Sequence, residues 1–194
     1  MNKDKALKIV KEQLTLERYD HTKRVLETAL SLNQQLGLEN SQIELAAIFH
    51  DYAKYRDKNE LKKMIIDNEL PTDLLEHHSE LWHGPAGALL VSKEVCIKDQ
   101  EVLSAIRWHT TGTRNMSELE KLIFIADYIE PYRNFSGVEE VRGAARVDID
   151  RACWLAARNT IEFLLSKQQM IYPDTLHLYN EGVKREQGRQ LNAK

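Results

Sequence analysis

The sequence predicts an all-α fold, and three observations carry that reading. Apolar residues recur three and four positions apart along most of the chain. No run of four to eight residues alternates like a half-buried strand. Helix start and stop signals also recur at short intervals, with Ser, Asp or Pro before apolar runs and Gly or Pro after them.

In chain order, residues 3–16 read as a short first helix. From about 18 to 36, His21, Val25, Thr28, Ala29, Leu32 and Leu36 share one stripe, which Gly37 closes. Ser41 and Glu44 have capping-box spacing and predict the next helix, on which Ile43, Ala47, His50, Asp51 and Lys54 line one face. Residues 58–80 are more polar and predict one or two short helices broken at Pro71. "WHGPAGALLVSKEV" opens a helix with Pro85 in its first turn, where a missing N–H costs nothing. Asp99 is a cap for "QEVLSAIRWH", and Gly112 stops that helix. Ser117 and Glu120 form a second capping box before "LEKLIFIADYIE", which Pro131 terminates. Asp148 caps a long helix to about 168. Pro173 starts a last one, with the final "GRQLNAK" expected to fray.

The bulk numbers narrow the function classes. A chain of 194 residues fits a single domain, 42% hydrophobic and 29% charged. A net charge of −3 gives no footprint for nucleic acid, so no nucleic-acid partner is expected. Cys96 and Cys153 form no Cys-x-x-Cys pair, which argues against a thiolate metal site or a disulfide framework. The charged opening "MNKDKALKIVKEQ" does not read as a signal peptide, and no apolar window is long enough to span a membrane. The expectation is a soluble cytoplasmic protein without a membrane partner.

The informative residues are polar ones in apolar stripes. His21 shares its stripe with Val25 and Leu32. His50 and Asp51 lie one turn after Ala47, His109 continues Val102 and Ile106, and Asp127 follows Ile123 within "LIFIADYI". His83 precedes a Pro-started helix. Each alone reads as a hydrogen-bonded core histidine or a surface carboxylate. Together they would need a separate partner apiece, because a buried carboxylate without one is very costly. One cationic centre serves them all. Imidazoles and carboxylates without thiolate suit Fe, Mn, Zn or Ni. Six ligands are too many for one ion that keeps an open position, and they suit two ions sharing a carboxylate. Two metal ions roughly 3.5–4 Å apart clamp phosphoryl oxygens during in-line displacement, so hydrolysis of a phosphoester or phosphoanhydride by a metal-activated water is expected.

The pattern "His21 … His50-Asp51 … Asp127" resembles the HD-domain metal-dependent phosphohydrolases, which are all-α. Wider stretches resemble the YqeK-type HD proteins, the symmetrical diadenosine tetraphosphate hydrolases, over nearly the whole chain. They are "RYDH" at 18–21, "HDYAK" at 50–54, "WHGPAGA" at 82–88, "IRWHTTG" at 106–112, "MSELEKLIFIADYIEPYR" at 116–133 and "YPDTLHLYN" at 172–180. The resemblance implies one HD domain over 1–194, with a metal-binding core at about 18–133 and C-terminal helices at about 138–185. It implies that His21, His50, Asp51 and Asp127 bind one metal, and that Asp51 bridges to a second held also by His83 and His109. It further implies iron as the metal, and diadenosine tetraphosphate cleaved at its centre into two ADP.

Around these ligands, Lys54 is read either as a cation for the transferred phosphoryl group or as a solvated Lys at a helix end. Thr110, Thr111 and Gly112 offer hydroxyls and N–H groups to phosphate, or simply cap a helix. Arg133 suits outer phosphates or the surface, and Arg24 reads as a solvated charge. His77, His78 and His177 read as surface residues, and Trp82 and Trp108 as core. Other expectations stay open: a different HD-type nucleotidase, dNTP hydrolase or phosphodiesterase, a non-catalytic nucleotide-binding module, and either a monomer or a homodimer.

Overall fold

The computed structural model describes residues 1–192, which among themselves form ten α-helices joined by turns and short 3-10 segments, with no strand. α1 (Lys3–Lys11) and α2 (Leu16–Leu32) are capped by Asn2 and Thr15, whose side-chain oxygens accept from the N–H groups of Lys5 and Arg18. Because Thr15 caps α2, α1 ends earlier and α2 starts earlier than periodicity indicated.

α3 (Asn40–Phe49) corrects two expectations. The Ser41–Glu44 box does not form, because the helix already begins at Asn40 with Glu39 at the cap position and no side-chain cap bond. Its entry is fixed instead by Asn33, whose side chain bridges the Leu38 backbone and Asn40. The helix also stops at Phe49, and residues 50–55 continue as tight turns, with the Tyr52 N–H donating to Phe49 O and the Lys54 N–H to Asp51 O. Lys54 therefore leaves the helical face on which it was expected.

α4 (Lys58–Asp67) is followed by two short 3-10 turns, as the Pro71 break suggested. α5 (His83–Glu94) starts on His83 itself. α6 (Gln100–Trp108) is capped by Asp99, and α7 (Glu118–Ile129) opens with the full Ser117–Glu120 capping box. α8 (Val138–Ala145) and α9 (Ile149–Ser166) follow, the latter capped by Asp148. α10 (Pro173–Asn192) runs through most of the tail that was expected to fray. Arg189 helps hold it, 2.6 Å from Asp148 and 2.8 Å from Glu186. Residues 193–194 of that tail lie outside the described residues.

Four helices pack in a closed circuit, α2 on α3, α3 on α6, α6 on α7 and α7 back on α2. Their inward stripes, with Val25, Ala29, Ile43, Ala47, Val102, Ile106, Leu122 and Ile123, bury completely. α5 packs on the outside of α6 and α1 against α3. α7 also packs against α9, which carries α8 and α10, and Ile125, Ala152, Leu155 and Ala156 form a second apolar layer there. His21 lies near the start of α2, and His50, His109 and Asp127 lie at or near the ends of α3, α6 and α7. The circuit thus gathers them at one end of the bundle.

Candidate metal centre

The first expected ligand positions come from helix ends. α3 and α6 stop at Phe49 and Trp108, so His50 and His109 occupy their C-cap positions. Carbonyls in a last helical turn have no intrahelical partner. His50 Nδ1 uses Ala47 O at 2.7 Å and His109 Nδ1 uses Ile106 O at 2.7 Å. His83 does the same with Glu80 O, at 2.6 Å from the 3-10 turn before α5. A carbonyl only accepts, so each of these rings carries its proton on Nδ1 and presents a bare Nε2. His21 reaches the same state differently, donating from Nδ1 to Glu130 Oε1 at 3.2 Å.

The close approach of α5 to α6 needs a residue without a side chain. A Cβ on Gly84 would lie 2.7 Å from Arg107 O, so this glycine lets His83 reach His109. Gly112, at φ +62°, ends the turn after α6, and its N–H donates to Trp108 O.

Asp51 stands at the centre with no exposure. Its Oδ2 lies 3.0 Å from His50 Nε2 and 3.8 Å from His21 Nε2. Its Oδ1 lies 3.1 Å from His83 Nε2 and 3.8 Å from His109 Nε2. His21 Nε2 is also 3.0 Å from Asp127 Oδ1. Among the described residues, the two groups with metal-holding geometry are His21–His50–Asp51 and Asp51–His83–His109, and Asp51 belongs to both.

Several buried atoms here lack a hydrogen-bond partner: His21 Nε2, His50 Nε2 and Asp51 Oδ1, while Asp51 Oδ2 has only the Arg18 guanidinium. Orphaned acceptors facing one another are costly unless a cation lies among them. The set is N and O donors, four neutral-capable imidazoles and carboxylates, which fits a divalent first-row metal. Burial, with His83 and His50 alongside, pushes His109 down to about 3, so its ring stays neutral.

Three arginines meet these carboxylates. Arg18 Nε contacts Asp51 Oδ2 directly. Arg133 lies 2.6 Å from Asp127 Oδ1, and Arg24 Nε donates to Glu130 Oε2 at 2.7 Å. Burial opposes ionisation of Glu130, but Arg24, the Tyr132 N–H and His21 together keep its carboxyl below the ordinary value. Arg18, Arg24 and Arg133, with His21, Tyr55 and Tyr132, line a cavity of about 730 Å³ beside the cluster.

The structure therefore brings together all six expected ligand positions and sets Arg133 at the cavity wall. Thr110 Oγ1 is 3.0 Å from His109 Nε2. Thr111 is buried, its hydroxyl donating to Gly112 O and its carbonyl accepting from Thr175 of α10, so this pair shapes the turn. Lys54 Nζ pairs with Glu80 Oε2 at 2.8 Å. Arg24 is not a solvated charge, because a buried carboxylate holds it. His77, His78 and His177 lie outside the two groups. Trp82 and Trp108 are both half-buried, and the Trp82 indole donates to Leu74 O.

Sequence reasoning passed over Arg18 and Glu130. Arg18 was visible as the first residue of "RYDH", one turn before His21. Glu130 was visible as an acidic residue closing an apolar helix just before Pro131.

Comparison with known proteins agrees with this geometry. The HD domain family model matches residues 18–132. A symmetrical bis(5'-nucleosyl)-tetraphosphatase of Halalkalibacterium halodurans is 54% identical over 93% of this chain and 97% of its own length. The protein of the same name in Bacillus subtilis is 48% identical over 93% of this chain and 97% of its length. In Staphylococcus aureus the identity is 41%, over 93% and 94%. The crystal structure of a predicted HD superfamily hydrolase involved in NAD metabolism from Clostridium acetobutylicum superposes with a TM-score of 0.89. It is 36% identical, covering 95% of this chain and 98% of that one. With its helical circuit, its shared aspartate and these relatives, the chain belongs to the HD-domain family of hydrolases, alongside the symmetrical bis(5'-nucleosyl)-tetraphosphatases.

Proposed function

We propose that this chain hydrolyses diadenosine tetraphosphate and related dinucleoside polyphosphates symmetrically, releasing two ADP. The relatives named for that activity span nearly the whole chain. The observation that carries a metal-dependent route is Asp51, whose two oxygens face separate histidine groups. His21, His50, Asp51 and Asp127 would hold one divalent ion, and Asp51, His83 and His109 a second, with iron as the metal and manganese, nickel or zinc as alternatives. Ions there would supply Lewis-acid polarisation of phosphoryl oxygens and lower the pKa of water.

The reaction adds water to one inner phosphorus and breaks its bond to the central bridging oxygen, so each half leaves as ADP. This chain's own side chains bind and orient the polyphosphate. Arg133 and Arg18 stand between the carboxylates and the cavity, where a guanidinium can pair with phosphate oxygens in a bidentate way. The Thr110 hydroxyl beside His109 can donate to a phosphoryl oxygen. Lys54, in the turns that follow α3, is a further cation for the substrate, released from Glu80. Thr111 and Gly112 contribute through the shape of the turn.

No helix among the described residues is long and apolar enough to cross a membrane, and we place the activity in the cytoplasm. Sedimentation of the purified protein distinguishes monomer from homodimer. The functional test is product identification with iron- or manganese-loaded protein. ADP alone, lost on chelation and restored by the ion, supports the reading. ATP plus AMP from diadenosine tetraphosphate overturns it, as does turnover only of a dNTP, a mononucleotide or a cyclic nucleotide.

A further inference from the structure

We propose that Glu130 is a positioning residue that locks the His21 imidazole for metal binding and ties it to the wall of the neighbouring cavity. The proposal rests on His21 being a metal ligand, as proposed above.

The argument begins with what His21 lacks. His50, His83 and His109 each find a carbonyl three residues earlier for Nδ1, because they sit at helix ends or after a 3-10 turn. His21 lies inside α2, where the carbonyls one turn back are engaged in the helix ladder. Its Nδ1 proton therefore needs an acceptor from another part of the chain, and Glu130 Oε1 supplies it at 3.2 Å across 109 residues of sequence. A carboxylate in this place fixes the tautomer and the ring orientation and makes Nε2 a better donor to a metal.

Glu130 is itself held rigidly. It is 3% exposed, sits at the C-cap of α7, and precedes Pro131, which restricts its backbone. Its Oε2 accepts from Arg24 Nε at 2.7 Å and from the Tyr132 N–H at 2.9 Å. Arg24 lies one turn beyond His21 on α2, and its guanidinium sits 4.2 Å over the Tyr132 ring. Arg24 and Tyr132 both line the cavity. One carboxylate thus spans the gap between a ligand imidazole and the surface that a substrate would touch. Glu130 meets the cluster through His21, and Arg24 meets it only through Glu130, which is why the role is one of positioning.

The test is Mn²⁺ binding by calorimetry to chelator-stripped wild type, Glu130→Ala, Glu130→Gln and His21→Ala, with folding followed by circular dichroism. His21→Ala identifies the binding step that this imidazole serves. Glu130→Ala should weaken that step about 10–100-fold. Glu130→Gln, which keeps an oxygen for the Nδ1 proton but loses the charge, should recover most of the loss. A Glu130→Ala protein that is folded and binds Mn²⁺ as tightly as wild type overturns the proposal, and so does a Gln variant no better than Ala. If His21→Ala itself leaves every Mn²⁺ step unchanged, the ligand assignment fails and takes the proposal with it. A loss in His21→Ala alone defeats only the role of Glu130.

Discussion

His83 Nε2 and His109 Nε2 face each other at 3.0 Å, while each ring donates its Nδ1 proton to a backbone carbonyl. Two bare lone pairs therefore point into one space, and Asp51 Oδ1 lies 3.1 Å from the first of them. Protonating His109 is no remedy, since burial and the adjacent imidazoles push it down to about 3. A cation between the rings and the carboxylate is the arrangement that satisfies all three.

Holding those rings together depends on Gly84. Gly84→Ala would set a methyl 2.7 Å from Arg107 O, a backbone atom that cannot swing away, so α5 must move off α6. The expected cost is about 1–3 kcal/mol, as for other overpacked sites. Thermal melts should show it, and chelator competition should show weaker retention of the ion that His83 and His109 would hold. An alanine variant with wild-type stability and metal affinity would mean the helices tolerate the shift.

Arg18 neutralises part of the fully buried Asp51 charge. Removing one partner of a buried ion pair typically costs about 3–5 kcal/mol. Arg18→Met should therefore destabilise the protein strongly in excess chelator. Saturating divalent ion should reduce that difference, because it supplies the missing positive charge. Equal losses in stability with and without the ion would argue that Arg18 serves packing alone.

Much of the scaffold was legible because caps are local. Asp99, Ser117–Glu120 and Asp148 each bond to N–H groups within three residues, so their spacing alone locates the helix starts. The end of α3 was not legible. "FHDYAK" contains no Gly or Pro, and the chain leaves the helix there to bring Asp51 inside, a tertiary demand. Ser41–Glu44 misled for the converse reason, since Asn33 anchors the entry from seven residues before Asn40. The six residues of the cluster were readable as polar residues in apolar stripes. Arg18 and Glu130 were harder, because their roles exist only in pairs made with residues far away in the chain, Asp51 and His21 respectively.

A pH dependence of stability follows from α9. Burial opposes ionisation of Asp150, but Lys121 at 2.9 Å and Arg185 outweigh it and hold its carboxyl below the ordinary value of 3.8. A carboxyl depressed by folding stabilises the protein above its unfolded value, and that contribution fades as pH falls through the folded one. The melting-temperature gap between wild type and Asp150→Asn should be full near neutrality and close as pH drops below 3.8. A gap that widens on acidification would contradict this assignment.

The central claim is that one aspartate serves two metal ions that the reaction needs. Elemental analysis of freshly purified protein, coupled to turnover of diadenosine tetraphosphate during stepwise reloading, tests it most directly. We expect about two divalent ions per chain, iron foremost, and full activity only as the second equivalent binds. Asp51→Ala should retain its helices by circular dichroism, lose both ions, and fall in activity by more than the roughly 100-fold that loss of an outer-shell partner brings. A stripped wild type that still turns over, or an Asp51→Ala protein at full activity, would contradict the account.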